Sequence, residues 1–408
     1  MHVTHADARR GLPQAVERVH IVRGWTCGRP TAVGAVTGRP RGRSPRQPSG
    51  HPPGTSPVAG DVTLPPLSVL DSSPVASGRS PADALRETLD LAGAAERAGY
   101  RRYWVAEHHG FPGGASSAPP VLIAAIAAAT SRIRVGSGGV MLSNHAPLAV
   151  AEQFGTLEAL NPGRIDLGLG RAPGSDQLTA YALRRWSARP GEQVDDDFGQ
   201  RLAELMAFFG DSFPADHPFA RLQATPVRGY APDVWLLGSS DWSARLAGAL
   251  GLPFAYAHHF GTGFTDAAVR AYREAFRPSP TLVEPRLVVT ANVVTAPSAD
   301  RARELAAPLG LFFLRLRAGE PGTWPSEGEA ARAALSYTPA QAATVADRLH
   351  GAVVGTPEEV VDGLTELAGA TGADELMIST MTHDHADRTA SYELLAEAAG
   401  MRAVEVAA

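Results

Sequence analysis

The sequence predicts an α/β protein, specifically a (β/α)8 TIM barrel with insertions after strands four and seven. Three observations lead to that fold class. Eight short apolar segments of strand character, between residues 67 and 379, are each followed by sequence of helical character. The first turn reads LDSSPVASG (70–78) and lacks the glycine-rich fingerprint of a dinucleotide-binding doubly wound sheet. Polar residues gather just after the strands, where barrels carry their sites.

Residues 67–71 read as the first strand. Ser80, Pro81 and Asp83 supply an N-cap hydroxyl, a first-turn proline and an early acid. Leu85, Leu89 and Ala92 recur at helical spacing, and Gly99 stands where that helix should stop. The bulky residues of 103–106 form the second strand. An Ala-rich helix from Pro120 leads to the third strand, 133–137, and a helix over 149–160 leads to the fourth, 165–169. Residues 173–200 interrupt the alternation as a polar insertion. Helices at 201–209, 243–250 and 266–276 then alternate with strands at 233–237, 254–256 and 286–294. Helical sequence at 298–317 and 357–370, an eighth strand at 375–379 and a closing helix at 387–399 complete the set. Residues 310–345 carry little pattern.

At 408 residues and 44% hydrophobic, the chain can bury one large core or two smaller ones. Its net charge of −5 argues against nucleic-acid binding. No apolar run approaches the ~20 residues that span a bilayer, and no apolar secretory core opens the chain. A soluble cytoplasmic protein without a membrane partner is expected. All 37 basic residues are arginine, which excludes Schiff-base, pyridoxal phosphate and Walker A chemistry. Cys27 is the single cysteine and lies outside the patterned region, which excludes disulfides and thiolate chemistry. Residues 1–66 hold 10 of the 33 prolines and carry +6, leaving −11 for the remainder. They read as a disordered or dispensable basic extension, or alternatively a basic tethering arm, ahead of a barrel domain at 67–408.

The strand ends define a candidate site. They carry Asp71-Ser72-Ser73, Glu107-His108-His109, Ser137-Gly138-Gly139, Gly170-Arg171, Gly238-Ser239-Ser240, His258-His259 and His383-Asp384-His385. The histidines suggest zinc, yet the first strand has no histidine and the chain no lysine to modify. Adjacent strand residues also point oppositely, so at most one of each His-His pair can face a shared pocket. No metal is expected, and any one of these histidines could equally be a loop residue or a core donor. The glycines point elsewhere. Gly138 and Gly139 would let a flat ligand lie on backbone. The Gly238-Ser239-Ser240 turn before a helix offers amides and hydroxyls to an anion, and Arg171 adds a planar cation. Together they suggest a phosphorylated planar cofactor.

Three motifs then carry a family resemblance: YWVAEHH (103–109), IRVGSGGVMLSNHAPLAVAEQFGTLEALNPGRIDLGLGRAPGSD (133–176) and VWLLGSSDWSARLAGALGLPFAYAHHF (234–260). They resemble the bacterial luciferase-like flavin-dependent monooxygenases, especially the branch of small luciferase-like oxidoreductases, over about residues 67–399. The resemblance implies reduced FMN at the C-terminal face, with its phosphate on Arg171, Gly238, Ser239 and Ser240 and its ring against Ser137, Gly138 and Gly139. It also implies a cis peptide between Gly138 and Gly139. His108 would be the catalytic histidine that assists proton transfer at the flavin, with Glu107 or His109 fixing its orientation. The expected activity is oxidation of a small organic substrate with O2, served by a separate flavin reductase; many relatives are homodimers. Relatives also use the deazaflavin F420 for hydride transfer, which stays open as an alternative, as does a non-catalytic flavin-binding role. The reactive cysteine beside the luciferase flavin is Gly170 here, which puts light emission in doubt. The substrate would be framed by 173–200 and 310–345.

Overall fold

The computed structural model describes residues 64–172, 174–184, 197–210, 213–261 and 263–402. The expected extension lies almost wholly outside them. In chain order the elements are β1 (Leu67–Asp71), α1 (Pro81–Ala98), β2 (Arg102–Val105), α2 (Pro119–Ala129), β3 (Arg134–Met141), α3 (Pro147–Leu160), β4 (Ile165–Gly170), α4 (Gln177–Leu183) and α5 (Phe198–Phe209). There follow β5 (Asp233–Gly238), α6 (Asp241–Leu250), β6 (Phe254–Tyr256), α7 (Thr265–Ala275), β7 (Leu287–Thr295), α8 (Ala299–Arg317), α9 (Glu327–Ala334) and α10 (Pro339–His350). β8 (Val353–Gly355), α11 (Pro357–Thr371), β9 (Glu375–Ser379) and α12 (His385–Ala398) complete the chain.

Eight strands close a parallel barrel in the order β1-β2-β3-β4-β5-β6-β7-β9 and back to β1. The period of two along each strand sorts the side chains. Val69, Tyr103, Val135, Leu167 and Val289 face the helices within the main core. Their neighbours Leu70, Trp104, Trp235, Ala255, Val288 and Met377 form a separate cluster inside the barrel. Trp104 and Trp235 meet edge to face there, with centroids 5.5 Å apart.

The buried Arg102 ties three strands together around that layer. Its Nε and NH2 donate to Glu375 on β9 at 2.6 and 3.0 Å, and its NH1 donates to Asp166 on β4 at 2.8 Å. Trp104 Nε1 donates to the same Asp166 oxygen at 2.9 Å, and Ser68 donates to Glu375. The guanidinium carbon lies 4.8 Å from the Trp235 ring centroid. Pairing of this kind offsets the cost of burying the charges.

The local signals behave as read. Ser80 and Asp83 form a reciprocal capping box on α1, and Gly99 ends it at φ 88°. Three features go beyond the sequence reading. β3 runs on to Met141, with a register shift against β4 between Ser137 and Val140, around the cis peptide at Gly138–Gly139 that the resemblance implied. The insertions contain helices: α4 in the first, α9 and α10 in the second. A ninth strand, β8, pairs outside the barrel with Val293–Thr295 at the end of β7. Among the described residues no helix is long and apolar enough to cross a membrane.

Candidate active site

The inner cluster is the floor of a cavity of about 350 Å³ at the C-terminal ends of the strands, with Leu70, Trp104, Ala255 and Met377 in its lining. Of the residues singled out in the sequence, His108, Gly138, Gly139, Arg171, Gly238, Ser239 and Ser240 line it. Glu107 and Ser137 do not.

The segment just after β2 sends successive side chains to opposite sides. His108 enters the cavity with its ring 5.6 Å from Phe111, and its backbone N–H donates to the Ser116 carbonyl at 3.0 Å. Its Nδ1 is buried without a hydrogen-bond partner. Burial pushes its pKa below the ordinary imidazole value, against the opposing pull of the Glu107 charge. The ring is therefore neutral at pH 7.

Glu107 turns the other way, and the expected contact with His108 is replaced by a different network. Its Oε1 accepts from His109 Nε2 at 2.7 Å and from His145 Nε2 at 2.8 Å, and its Oε2 accepts from the Met141 amide at 3.1 Å. Burial opposes its charge, but the bonds from His145, His109 and Met141 outweigh it and hold the carboxyl below its usual pKa. Glu107 thus fastens the end of β2 to the end of β3, while His109 spends its ring on that carboxylate. Among the described residues Glu107, His109 and His145 are the one group whose donor atoms gather closely enough, within 4.8 Å, to hold a metal. Those atoms are committed to one another.

Ser137 likewise serves the scaffold. Its Oγ donates to Gly168 O at 2.9 Å and accepts from Gly168 N at 3.1 Å, joining β3 to β4. The glycines also have a packing reason that the sequence did not reveal. A Cβ on Gly139 would stand 2.6 Å from Gly168 O, and one on Gly138 would stand 2.5 Å from Leu70 Cδ1. Side chains are excluded there by protein atoms, which leaves bare backbone facing the cavity.

Beyond β4 and β5, Arg171 lies with its guanidinium carbon 4.3 Å from the Trp242 ring centroid, a stacking that positions the cation. α6 starts immediately after Ser240, whose side chain makes no capping bond. A Cβ on Gly238 would meet Ser243 Cβ at 2.5 Å, so glycine is what lets the first turn of α6 close onto the end of β5.

The remaining histidines divide too, His258 and His259 within a 3-10 turn (His258–Phe260) just past β6. His259 lines the cavity, whereas His258 donates or accepts at Thr265 Oγ1, 2.7 Å away. Burial, with Arg348 nearby, depresses the His259 pKa to about 3. His383 bonds to Ser77 and His385 to Asp90, both outside the cavity lining. The stretch 310–345, expected to frame the substrate, contributes Phe312, Phe313 and Trp324 to the lining, and Arg348 joins them from just beyond it; the sequence reading names none of the four. Phe312 and Phe313 stand on α8 and Trp324 just before α9, whereas Arg348 stands on α10, which the helix-start signal at Thr338-x-x-Gln341 could have located.

The closed barrel with its cavity at the C-terminal strand ends defines a class, and the comparisons with known proteins say which family it is. The chain belongs to the luciferase-like monooxygenase family, whose model matches residues 66–375. It is 44% identical over 330 residues to a luciferase-like monooxygenase of Escherichia coli strain K12, covering 80% of this chain and 95% of that one. It is 37% identical over 332 residues to the N-acetyl-S-alkylcysteine monooxygenase of Bacillus subtilis strain 168, covering 81% and 97%. The solved structure of apo-MsnO8 superposes with a TM-score of 0.75 at 40% identity, covering 84% of this chain and all of that one.

Proposed function

We propose that the protein is an FMN-dependent monooxygenase that uses reduced FMN and O2 to oxidise a small organic substrate. One observation carries this reading: Arg171 with the serine turn before α6, the bare Gly138–Gly139 backbone and an unpartnered imidazole on His108 share one cavity. The residues fit the cofactor. Four polar atoms on lining residues are buried without a hydrogen-bond partner, namely His108 Nδ1, His259 Nδ1, Trp324 Nε1 and Arg348 Nε. Buried polar groups rarely stay unpaired, so the cavity calls for polar ligand atoms, from the cofactor and its co-substrate together; the cofactor's own share is the bare Gly138–Gly139 backbone and the imidazole of His108.

Arg171, Ser239, Ser240 and the first amides of α6 would hold the phosphate, where the positive end of the helix favours an anion. The Gly138–Gly139 backbone would support the ring. Reduced FMN, when bound, supplies the electrons that activate dioxygen. His108, neutral and shielded by Phe111 and the apolar floor, would accept and return a proton at Nδ1. The apolar walls would keep bulk water out. A separate reductase would deliver the reduced flavin, because the chain lacks a dinucleotide fingerprint. N-acetyl-S-alkylcysteines, the class in the Bacillus relative's name, are the first substrates to screen.

Parallel titrations with FMN, riboflavin and F420 test the reading. FMN should bind in preference to F420. Arg171→Ala should weaken FMN about tenfold or more, the scale of one charge-assisted hydrogen bond, and leave riboflavin much less affected. Equal losses would refute the phosphate assignment, and uptake of F420 alone would transfer the site to hydride chemistry.

A further inference from the structure

The phosphate end accounts for one of two cations in the cavity. Arg348 is the other. It comes from α10, in the insertion between β7 and β9, whereas Arg171 follows β4. Its guanidinium carbon lies 4.5 Å from the Phe313 ring centroid. Its Nε is buried and unpartnered. Among the described residues it forms no ion pair, and the acid that acts on its charge is its chain neighbour Asp347. Burial lowers its pKa from the usual guanidinium value, yet an arginine remains cationic at neutral pH.

The surroundings make that charge costly. Leu309, Phe312, Phe313, Leu316 and Trp324 give this side of the cavity an apolar wall, and the lining contains neither Asp nor Glu. His259 adds a neutral ring with an unpartnered Nδ1, close enough for Arg348 to depress its pKa. A half-buried cation without an anion is an expensive arrangement. Arginine is also the side chain best shaped to grip a carboxylate through two parallel bonds.

We propose that Arg348 anchors a carboxylate on the substrate, so that the enzyme acts on small monocarboxylic acids whose apolar body lies against Phe312, Phe313 and Trp324. This deepens the flavin reading and rests on it for the chemistry, though the binding claim can be tested separately. The anion comes from the substrate because the cofactor's phosphate has its own cation and helix N-terminus after β4 and β5.

The test is calorimetric titration of the full chain with three acids, hexanoate, phenylacetate and N-acetyl-S-ethylcysteine, each paired with its primary amide. At least one acid should bind about tenfold more tightly than its amide, the scale of a charge-assisted hydrogen bond. Arg348→Met should remove that preference, and Arg348→Lys should keep part of it. FMN affinity, measured on the same proteins, should stay within about threefold of wild type, too small a change for the loss of one such bond. No acid preference in any pair overturns the proposal, as does a preference that survives Arg348→Met. A large loss of FMN affinity in Arg348→Met would also overturn it, by giving this cation to the cofactor. The acid–amide comparison needs no substitution, so it decides the matter even if a variant fails to fold. If FMN fails to bind while the acid preference holds, the flavin reading falls and the carboxylate site stands.

Discussion

His108 and Glu107 are neighbours in the chain, and the segment that leaves β2 sends them to opposite sides. That single residue of phase separates a group that can meet a ligand from one that holds strands together. The period-two rule led to the expectation that each His-His pair would split, and both do, His108 and His259 lining the cavity and His109 and His258 not, although both pairs stand past the ends of β2 and β6 and the split is set by the loops there. The same rule applied to Glu107 would have removed it from the catalytic pair, but His145, its second partner, lies 38 residues away and its approach is a tertiary fact. The role proposed for His108 has a pH signature. Its folded pKa is depressed by burial, so the neutral, proton-accepting form persists above that value and is lost as pH falls through it. The rate of substrate oxidation should therefore rise with pH to a plateau whose midpoint lies below the ordinary imidazole value. His108→Ala should lower the plateau about 10²- to 10⁴-fold with FMN affinity nearly unchanged. A pH-rate profile and flavin titration of this variant check both parts, and unchanged turnover would remove His108 from the chemistry.

At the scale of elements, strands were legible where apolar runs met turn residues, and helices where capping residues met a 3.6-residue period. What escaped had weak local signal. β8 has three residues and exists because the end of β7 offers an open edge. α9 and α10 lack a strong apolar face but begin with complete capping boxes, a cue that hydrophobic periodicity alone overlooks. The continuation of β3 through Gly138 and Gly139 runs against the poor strand propensity of glycine, and close contact with Leu70 and Gly168 explains why no other residue serves. The Arg102 network was also invisible, since its partners stand 64 and 273 residues away. It binds β2 to β4 and β9 beneath the Trp104–Trp235 layer. Arg102→Met should cost about 3–5 kcal/mol by leaving Asp166 and Glu375 short of a buried partner. Arg134 at 2.5 Å from Asp166, and Arg101 and Arg286 at 3.6 and 3.9 Å from Glu375, should hold the loss to the lower part of that range. Urea unfolding monitored by tryptophan fluorescence measures it, and a midpoint equal to wild type would show that the barrel does not depend on this arginine.

For the whole molecule, the barrel and its insertions account for everything the site requires. The first cavity-lining residue is Leu70, and the last is Met381. The family match begins at residue 66, and relatives aligned over 95–97% of their own length reach only 80–81% of this chain. The family match leaves out residues 1–65, the proline- and arginine-rich N-terminal stretch, whose composition offers little apolar surface to bury. Among the described residues, the closed sheet begins at Leu67 and the cavity lining at Leu70. A protein beginning at Leu64 should therefore melt within about 2 °C of the full chain, a difference well under 1 kcal/mol for a domain this large. It should bind FMN with the same affinity. Because the stretch carries +6 of formal charge, its removal should show instead in electrostatic behaviour: earlier elution from a cation exchanger and weaker retention on polyanionic resin. Differential scanning calorimetry, flavin titration and ion-exchange chromatography of the two proteins separate these effects. A fall in melting temperature of more than about 5 °C, larger than the loss of an unpacked segment can produce, would mean that the basic stretch packs on the barrel and belongs to the folded enzyme.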